Sequence, residues 1–396
     1  MISNRQLFLR HVAQTSGSSL QFEIERAEGI FFYSKSGKKY IDLVSGVSVS
    51  ALGHGHPVVV SAVKEQAGRY MHTMVYGEFV QSPQVNYARW LVDRLPSSLD
   101  NVFFVNSGSE AIDGAMKLAK RYTGKGQFVA FKKAYHGGTH GALSILGDEK
   151  GRSGYLPLLP GIQHIRFNSE PDLKHIDEGV AAVIVEPIQA EAGIIEPEDD
   201  FLLRIRERCD QVGALLIMDE IQTGMGRTGK LFAFEHYSVV PDIICLAKSF
   251  GGGMPLGAFI SSKEVMSKLT FDPPLGHITT FGGHPVSCAA GLAVQRVVEE
   301  DHLMAHAMQM EKRYRHGLQH PLIKSIRGRG LFLAVVLDEE VDVSRFISNA
   351  FENQMVIDQF LFSDNSFRIA PPLIITKEEV DDSVQRILAT LNWGMK

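Results

Sequence analysis

Cysteine is scarce in this chain. Cys209, Cys245 and Cys288 are the only three in 396 residues. The set is odd and scattered, so it cannot supply a disulfide framework, and it suits a reducing cytoplasm. Long apolar runs are missing too. The longest, such as 181–185 and 214–218, are strand-sized and end at acids, far short of the ~20 apolar residues of a membrane span. Residues 1–10 mix polar, charged and apolar types without a signal-peptide core. A cytoplasmic protein with no membrane partner is therefore expected. Positive charge is not in excess: 40 Lys and Arg stand against 45 Asp and Glu, a net charge of −5. With no basic surplus to neutralise a phosphate backbone, a nucleic-acid partner is not expected. Apolar residues at 44% and charged residues at 21% allow a large core and exclude disorder as the main state. The length suits two or three domains of roughly 100–200 residues each.

What the chain has in quantity is glycine, 37 residues. No fixed period links them, which excludes a solenoid. They cluster instead, at Gly108, at Gly137-Gly138, at Gly224, Gly226 and Gly229, at Gly251-Gly252-Gly253, and at Gly282-Gly283. Glycine lets backbone approach a ligand closely, so the clusters suggest a binding site assembled from many loops.

Between them, short apolar strands alternate with helices. Strands are predicted at Asn101–Val105, Gln127–Phe131, Val180–Val185, 214–218, Ile243–Leu246 and Gly257–Ser261. Helices are predicted at 110–121, 201–211 and Pro285–Glu300. This pattern specifies an α/β fold with a mostly parallel sheet covered on both faces. The tail differs, with strands at 330–337 and 367–370 and helices at 343–354 and 377–391. It reads as a smaller α+β domain, joined by an N-terminal segment with a hairpin at 29–42 around Ser36-Gly37. The expected division is 1–50 (part of the small domain), 51–290 (large domain) and 291–396 (the rest of the small domain).

Two motifs mislead. Gly224, Gly226 and Gly229 match the dinucleotide fingerprint as a string, but residues 219–223 separate them from the preceding strand, and Asp242 begins a strand instead of ending one. The fingerprint must end a strand and open a helix, so a dehydrogenase is not supported. His54 with His56, and His136 with His140, lack an acid at metalloprotease spacing, and no metal is expected.

Three others carry chemistry. Ser107 and Glu110 match a capping box where a strand gives way to a helix; next to Gly108, the helix start is either simply capped or an anion site. Asp219 ends an apolar strand and so sits at the carboxyl edge of the sheet, where ligands bind; it either caps a loop or keeps a ring nitrogen protonated. Lys248 ends another apolar strand ahead of three glycines. If buried, it loses its preference for the ammonium form, and a neutral amine can form a Schiff base with an aldehyde; the alternative is a surface lysine beside a turn. Aldehyde, ring nitrogen and phosphate together describe pyridoxal 5′-phosphate.

In these motifs the chain resembles the class III, fold-type I, pyridoxal-phosphate-dependent aminotransferases. The resemblance runs from Gly29-Ile30-Phe31 and Tyr40-Ile41-Asp42 to Arg368-Ile369-Ala370-Pro371. It includes His54-Gly55-His56-Pro57, Tyr135-His136-Gly137, Glu186-Pro187-Ile188-Gln189, Asp219-Glu220-Ile221-Gln222 and Phe281-Gly282-Gly283-His284, and is nearest the ornithine, acetylornithine and 4-aminobutyrate branch. It implies that Lys248 bonds the cofactor and then moves a proton, while Asp219 pairs with the ring nitrogen. It implies Gln222 at the ring hydroxyl oxygen, Tyr135 and Ile221 on the two ring faces, and Gly108 and Ser109 at the phosphate. Thr280 is implied to reach the phosphate of the neighbouring subunit, making the active unit a homodimer with shared sites. Glu191 and Arg368 correspond to a switch pair: Arg368 binds the α-carboxylate of glutamate or 2-oxoglutarate, and Glu191 masks it for ω-amines. Val47 and Thr279 fall in the substrate pocket. The implied reaction moves an amino group from an ω-amine or amino-acid donor to 2-oxoglutarate by a ping-pong route. The alternative is a class III relative with aminomutase or decarboxylase chemistry; those relatives generally lack the Glu191/Arg368 pair.

The chain also departs from that branch. Gly138 stands where acetylornithine and ornithine members carry an arginine for the substrate carboxylate. Phe31 replaces a tyrosine, Val47 replaces a bulky aromatic, and His284 replaces an asparagine. Arg152 and Arg166 are the candidates to supply the missing cation. On this reading acetylornithine is a weak donor.

Overall fold

Residues 24–42 form three antiparallel strands, β1 (Ile24–Glu28), β2 (Phe31–Ser34) and β3 (Lys39–Asp42), in the computed structural model, which describes residues 2–17 and 19–393. Gly37 takes φ 79° at the turn between β2 and β3, a conformation that favours glycine. The hairpin therefore sits where Ser36-Gly37 predicts it.

The seven strands of the large sheet are β4 (Asn101–Val105), β5 (Gln127–Phe131), β6 (Ile162–Ile165), β7 (Val180–Val185), β8 (Leu215–Asp219), β9 (Ile243–Leu246) and β10 (Gly257–Ser261). Their order is β4-β10-β9-β8-β7-β5-β6. Only β10 runs against its neighbours. This is the fold-type I arrangement. Alternate residues explain why the strands are apolar throughout. Val183, Val185, Leu216 and Met218 pack on one side with Phe201, Leu202 and Ile205 of the helix Phe201–Val212. Ala182, Ile184 and Ile217 pack on the other with Ala111, Ile112, Ala115 and Ala119 of the helix Gly108–Thr123. A strand covered on both faces has no position for a polar residue. Gly114 sets the spacing of that helix, because a Cβ there would lie 2.4 Å from Cε1 of Phe259.

The C-terminal strands are β11 (Ile323–Arg329), β12 (Phe332–Leu337), β13 (Met355–Val356), β14 (Gln359–Phe360) and β15 (Ser363–Ile369). Four of them form an antiparallel sheet in the order β11-β12-β15-β14, while β13 pairs in parallel with β3, Met355 opposite Ile41. Ile30, Ile41 and Leu43 share a core with Val335, Phe346, Phe367 and Ile387. The helix Pro285–Glu300 gives Cys288 and Leu292 to the large-sheet core but Val294, Val297 and Val298 to this one. The expected boundary at 290–291 thus lies inside a continuous helix.

Several boundaries differ from the sequence reading. The strand predicted at 330–337 starts at Phe332, because Gly330 turns with φ 58°. The one at 367–370 starts four residues earlier, at Ser363, since its first half is polar. The helix predicted at 343–354 ends at Glu352. No helix of the described residues is long and apolar enough to cross a membrane.

Candidate active site

Ligands of α/β sheets bind beyond the carboxyl ends of the strands, and there the structure places a cavity of ≈ 400 Å³. Its wall includes Gly108, Ser109, Tyr135, Asp219, Ile221, Gln222 and Lys248, with Ser107, His136, Gly137, Gly138 and Glu186. Seven residues singled out from sequence for the cofactor are thereby brought together.

At the end of β4, Ser107 caps the helix Gly108–Thr123 by accepting from the Glu110 N–H at 3.2 Å. The other half of the expected capping box is absent. The Glu110 carboxylate reaches past Ser107 to the N–H and Nδ2 of Asn106, at 2.8 and 2.9 Å. The first-turn N–H groups of Gly108 and Ser109 have no intrahelical acceptor, and such groups favour an anion. Space there is tight: a Cβ on Gly108 would fall 2.7 Å from Cδ1 of Ile221, and one on Gly137 2.3 Å from Oγ of Ser109.

Asp219 ends β8 with each carboxylate oxygen engaged. Oδ1 accepts from the Ile221 N–H at 3.0 Å, and Oδ2 lies 2.7 Å from Nδ1 of His136. Burial works against protonation of His136, but the hydrogen bond and charge of Asp219 outweigh it, raising its pKa above the ordinary histidine value. Behind this pair lies Glu186, buried, accepting from the Ala190 N–H at 3.1 Å. Burial pushes its pKa up to about 8, opposed by His136 and assisted by Asp219.

Lys248 follows β9 in left-handed backbone, φ 54°, and its Nζ donates to Oε1 of Gln222 at 3.1 Å. Burial first, and Arg368 second, lower its pKa to about 8. Arg368 on β15 is 1% exposed and donates through NH2 to Oε1 of Glu191 at 2.8 Å. Neither residue belongs to the cavity wall, yet both charges act on Lys248.

The remaining predicted residues lie outside that wall. Thr279 spends its hydroxyl within the chain, accepting from Asn106 Nδ2 at 3.2 Å and from the Gly282 N–H at 3.1 Å. Thr280 is exposed, and its carbonyl meets His72 Nε2 at 2.8 Å. Val47 lies in a left-handed turn at φ 59°, and Val49 lines the cavity in its stead. Arg166 is held by Asp172, and Arg152 is likewise not part of the wall. Neither supplies the cation that Gly138 lacks. His284 accepts from the Val286 N–H at 3.3 Å, capping the helix Pro285–Glu300.

The misleading motifs have structural roles. Gly226 and Gly229 turn the chain at φ 91° and 88°, so that the buried Arg227 reaches the carbonyls of Leu331 and Pro371. Asp242 binds Arg206 and the Leu216 N–H, both at 2.7 Å. His54 pairs with Asp42 at 2.8 Å. Among the described residues, no group of three His, Cys, Asp or Glu is placed to hold a metal ion.

The donor set fits pyridoxal 5′-phosphate. Nε2 of Gln222 and Nε2 of His136 are buried without a hydrogen-bond partner. An amine with lowered pKa, a carboxylate and a free helix start surround the same space. Sequence reasoning named neither His136 nor Glu186 as a site residue, although both stand inside motifs quoted from the chain.

Comparison with known proteins gives the same picture. The family model described as "Aminotransferase class-III" matches residues 12–391. The acetylornithine aminotransferase of Methanopyrus kandleri is 40% identical over 369 residues, 92% of each chain. Among solved structures, the ornithine aminotransferase of Toxoplasma gondii, described with partial occupancy of PLP at its active site, superposes with TM-score 0.91. It is 30% identical and aligns over 100% of this chain and 96% of its own. A thermostable omega transaminase mutant from Pseudomonas jessenii gives TM-score 0.92 at 26% identity, covering 99% and 98%.

Proposed function

From the premise that the chain belongs to the class III aminotransferases, pyridoxal-phosphate-dependent enzymes, we propose that it transfers an amino group from an ω-amine donor to 2-oxoglutarate. The transamination is of the acetylornithine/ornithine type. The observation that carries the acceptor half is the buried Arg368–Glu191 pair beside Lys248. An arginine binds a carboxylate strongly and directionally, and a glutamate that can release it lets one pocket serve two substrates.

When bound, the cofactor supplies an aldehyde that receives the amino group and a ring that takes up negative charge. The chain's own residues do the rest. Gly108 and Ser109 hold the phosphate with backbone N–H groups. Asp219 faces the ring nitrogen and is held in place by His136. Gln222 and the side chains of Tyr135 and Ile221 fix the ring. Lys248, its pKa lowered to about 8 by burial, can give up and take back a proton near neutral pH and would serve as the proton carrier beside the bound substrate.

Among the described residues, Lys248 is the one lysine or arginine that lines the cavity, and the His136 ring is engaged by Asp219. This favours donors whose far end carries no carboxylate over acetylornithine itself. The active unit is a homodimer, in line with exposed apolar residues in two hydrogen-bonded segments, Met71, Phe79 and Val80 in one and Ile278 and Phe281, flanking Thr279 and Thr280, in the other. Exposed apolar patches mark association surfaces. Cys209, Cys245 and Cys288 are all free and buried, which suits a cytoplasmic setting.

A panel of amine donors offered to the holoenzyme with 2-oxoglutarate, reading glutamate formed, tests the proposal. Glutamate from at least one ω-amine is expected. If no donor yields glutamate while other 2-oxo acids are consumed, the acceptor assignment fails.

A further inference from the structure

Arg368 faces two carboxylates. Its NH2 donates to Glu191, and its Nε lies 3.3 Å from Oδ1 of Asp358. The face of the guanidinium is covered by Phe360, with Cζ 4.7 Å from the ring centroid. Asp358 lies between β13 and β14, and its carbonyl accepts the Arg368 backbone N–H at 3.0 Å. The two residues are thus held together by main chain as well as by charge. NH1 of Arg368 is buried and has no hydrogen-bond partner among the described residues, and Nε and Oδ1 of Asp358, though within ion-pair distance, are not hydrogen-bonded either.

A guanidinium offers a carboxylate two bidentate edges, Nε with NH2 or NH1 with NH2. Glu191 takes NH2 of the first edge by a hydrogen bond, and the Asp358 carboxylate stands beside its Nε at ion-pair distance. When Glu191 releases NH2, the Asp358 carboxylate still stands in front of Nε and repels a second carboxylate from that edge. The incoming carboxylate is then directed to the NH1–NH2 edge. It also meets a cation already largely neutralised by Asp358, not a bare one.

We propose that Asp358 is a positioning and specificity-determining residue for the acceptor, fixing which edge of Arg368 receives the substrate carboxylate and weakening the attraction for it. This rests on the transaminase reading above for its biological meaning, but not for its measurement.

Burial raises the Asp358 carboxyl to about 6, against the pull of Arg368 and with the help of Glu191 and Asp42. Asp42 in turn is paired with His54. Arg368, Glu191 and Asp42 are the charged groups acting on Asp358, and none of them changes in a variant at 358. As pH falls through about 6, Asp358 becomes neutral and Arg368 regains its pull on an anion.

The test is calorimetric binding of glutarate, a dicarboxylate that cannot be transaminated, to the holoenzyme at pH 7.5 and 5.5. Asp358→Asn keeps an oxygen for Nε and removes the charge. It should bind glutarate at least about tenfold more tightly than wild type at pH 7.5, the scale of removing one like charge about 12 Å away at an effective dielectric of about 20, and more if it is nearer. Wild type should tighten on going to pH 5.5, and the variant should lack that gain. In turnover, KM for 2-oxoglutarate should fall with little change in kcat. Asp358→Ala, which loses the orienting oxygen too, should bind less tightly than Asp358→Asn. Equal affinities of wild type and Asp358→Asn at both pH values would overturn the proposal, as would identical behaviour of the two variants. Tighter glutarate binding in Asp358→Asn without any glutamate formed from 2-oxoglutarate would uphold it and overturn the 2-oxoglutarate acceptor reading instead.

Discussion

Nδ1 of His136 lies 2.7 Å from Oδ2 of Asp219, and both side chains are buried. The carboxylate at the bottom of the cavity is therefore braced from behind by a cation-forming ring as well as by the Ile221 N–H. Replacing Asp219 with Asn removes the charge and keeps most of the shape. Breaking a buried charge pair costs several kcal/mol in general, more than ~100-fold in rate if it is expressed in the transition state. Asp219→Asn should lose at least that factor in kcat, while far-UV circular dichroism stays near wild type.

Arg368 and Glu191 should respond in opposite directions. Arg368→Ala should slow the half-reaction with glutamate first, and the half-reaction with an ω-amine less. Glu191→Ala leaves the arginine unmasked, so glutamate should react better and the ω-amine worse. Single-turnover absorbance traces for each half-reaction give the comparison. Equal slowing of both halves in Arg368→Ala would contradict the switch.

Gly138, and a wall whose one lysine or arginine among the described residues is Lys248, set the donor. Acetylornithine should be turned over with lower kcat/KM than an ω-amine of similar length that lacks the α-carboxylate. Introducing the missing charge through Gly138→Arg should raise kcat/KM for acetylornithine by about tenfold or more, the range of a charge-assisted contact. Acetylornithine as the best donor of the wild-type enzyme would refute this view of the pocket.

Glu186 gives a stability test independent of turnover. Its pKa is raised to about 8 by burial, so the stability it contributes is complete below its ordinary value and is lost as pH rises through about 8. Glu186→Gln cannot ionise. Between pH 7 and pH 9 the Tm of wild type should therefore fall relative to that of Glu186→Gln, whatever their offset at pH 7. A Tm difference independent of pH would show that the carboxyl is already ionised at pH 7.

Val80, 94% exposed, and Phe79 and Phe281, each more than half exposed, should be covered in solution. The expected mass by sedimentation equilibrium is twice the chain mass. Val80→Asp should shift the protein toward monomer and reduce activity in parallel, because the partner's Thr280 is expected at the phosphate. An active monomer at assay concentration would break the link between assembly and activity.

Much of this was legible before any coordinates. The strands of the large sheet were readable because Val180–Val185 and its neighbours are covered on both faces and so carry no polar interruption. Lys248, Asp219 and Gly108 were readable because each follows such a strand. Less visible were features whose meaning arises only on folding. β15 begins with Ser363-Asp364-Asn365-Ser366, a polar run that pairs with β14 and β12 but resembles a loop. Asp358 has no motif of its own; it matters only because the chain brings it 3.3 Å from Arg368. Thr279 and Thr280 stand next to each other, yet one is tied to Asn106 and Gly282 while the other is exposed, a difference no spacing rule encodes.

The parallel pairing of β3 with β13 has a consequence for how the protein is made. Ile41 emerges from the ribosome more than three hundred residues before its strand partner Met355. Ile30, Ile41 and Leu43 therefore remain without their native cover until Met355, Phe367 and Ile387 have been translated. The large sheet, complete by Ser261, can form while they wait. Apolar segments left uncovered for that long invite association with other nascent chains. The hairpin is thus a segment for which a chaperone has long to compete, and pairing with β13 is the step that removes it from reach.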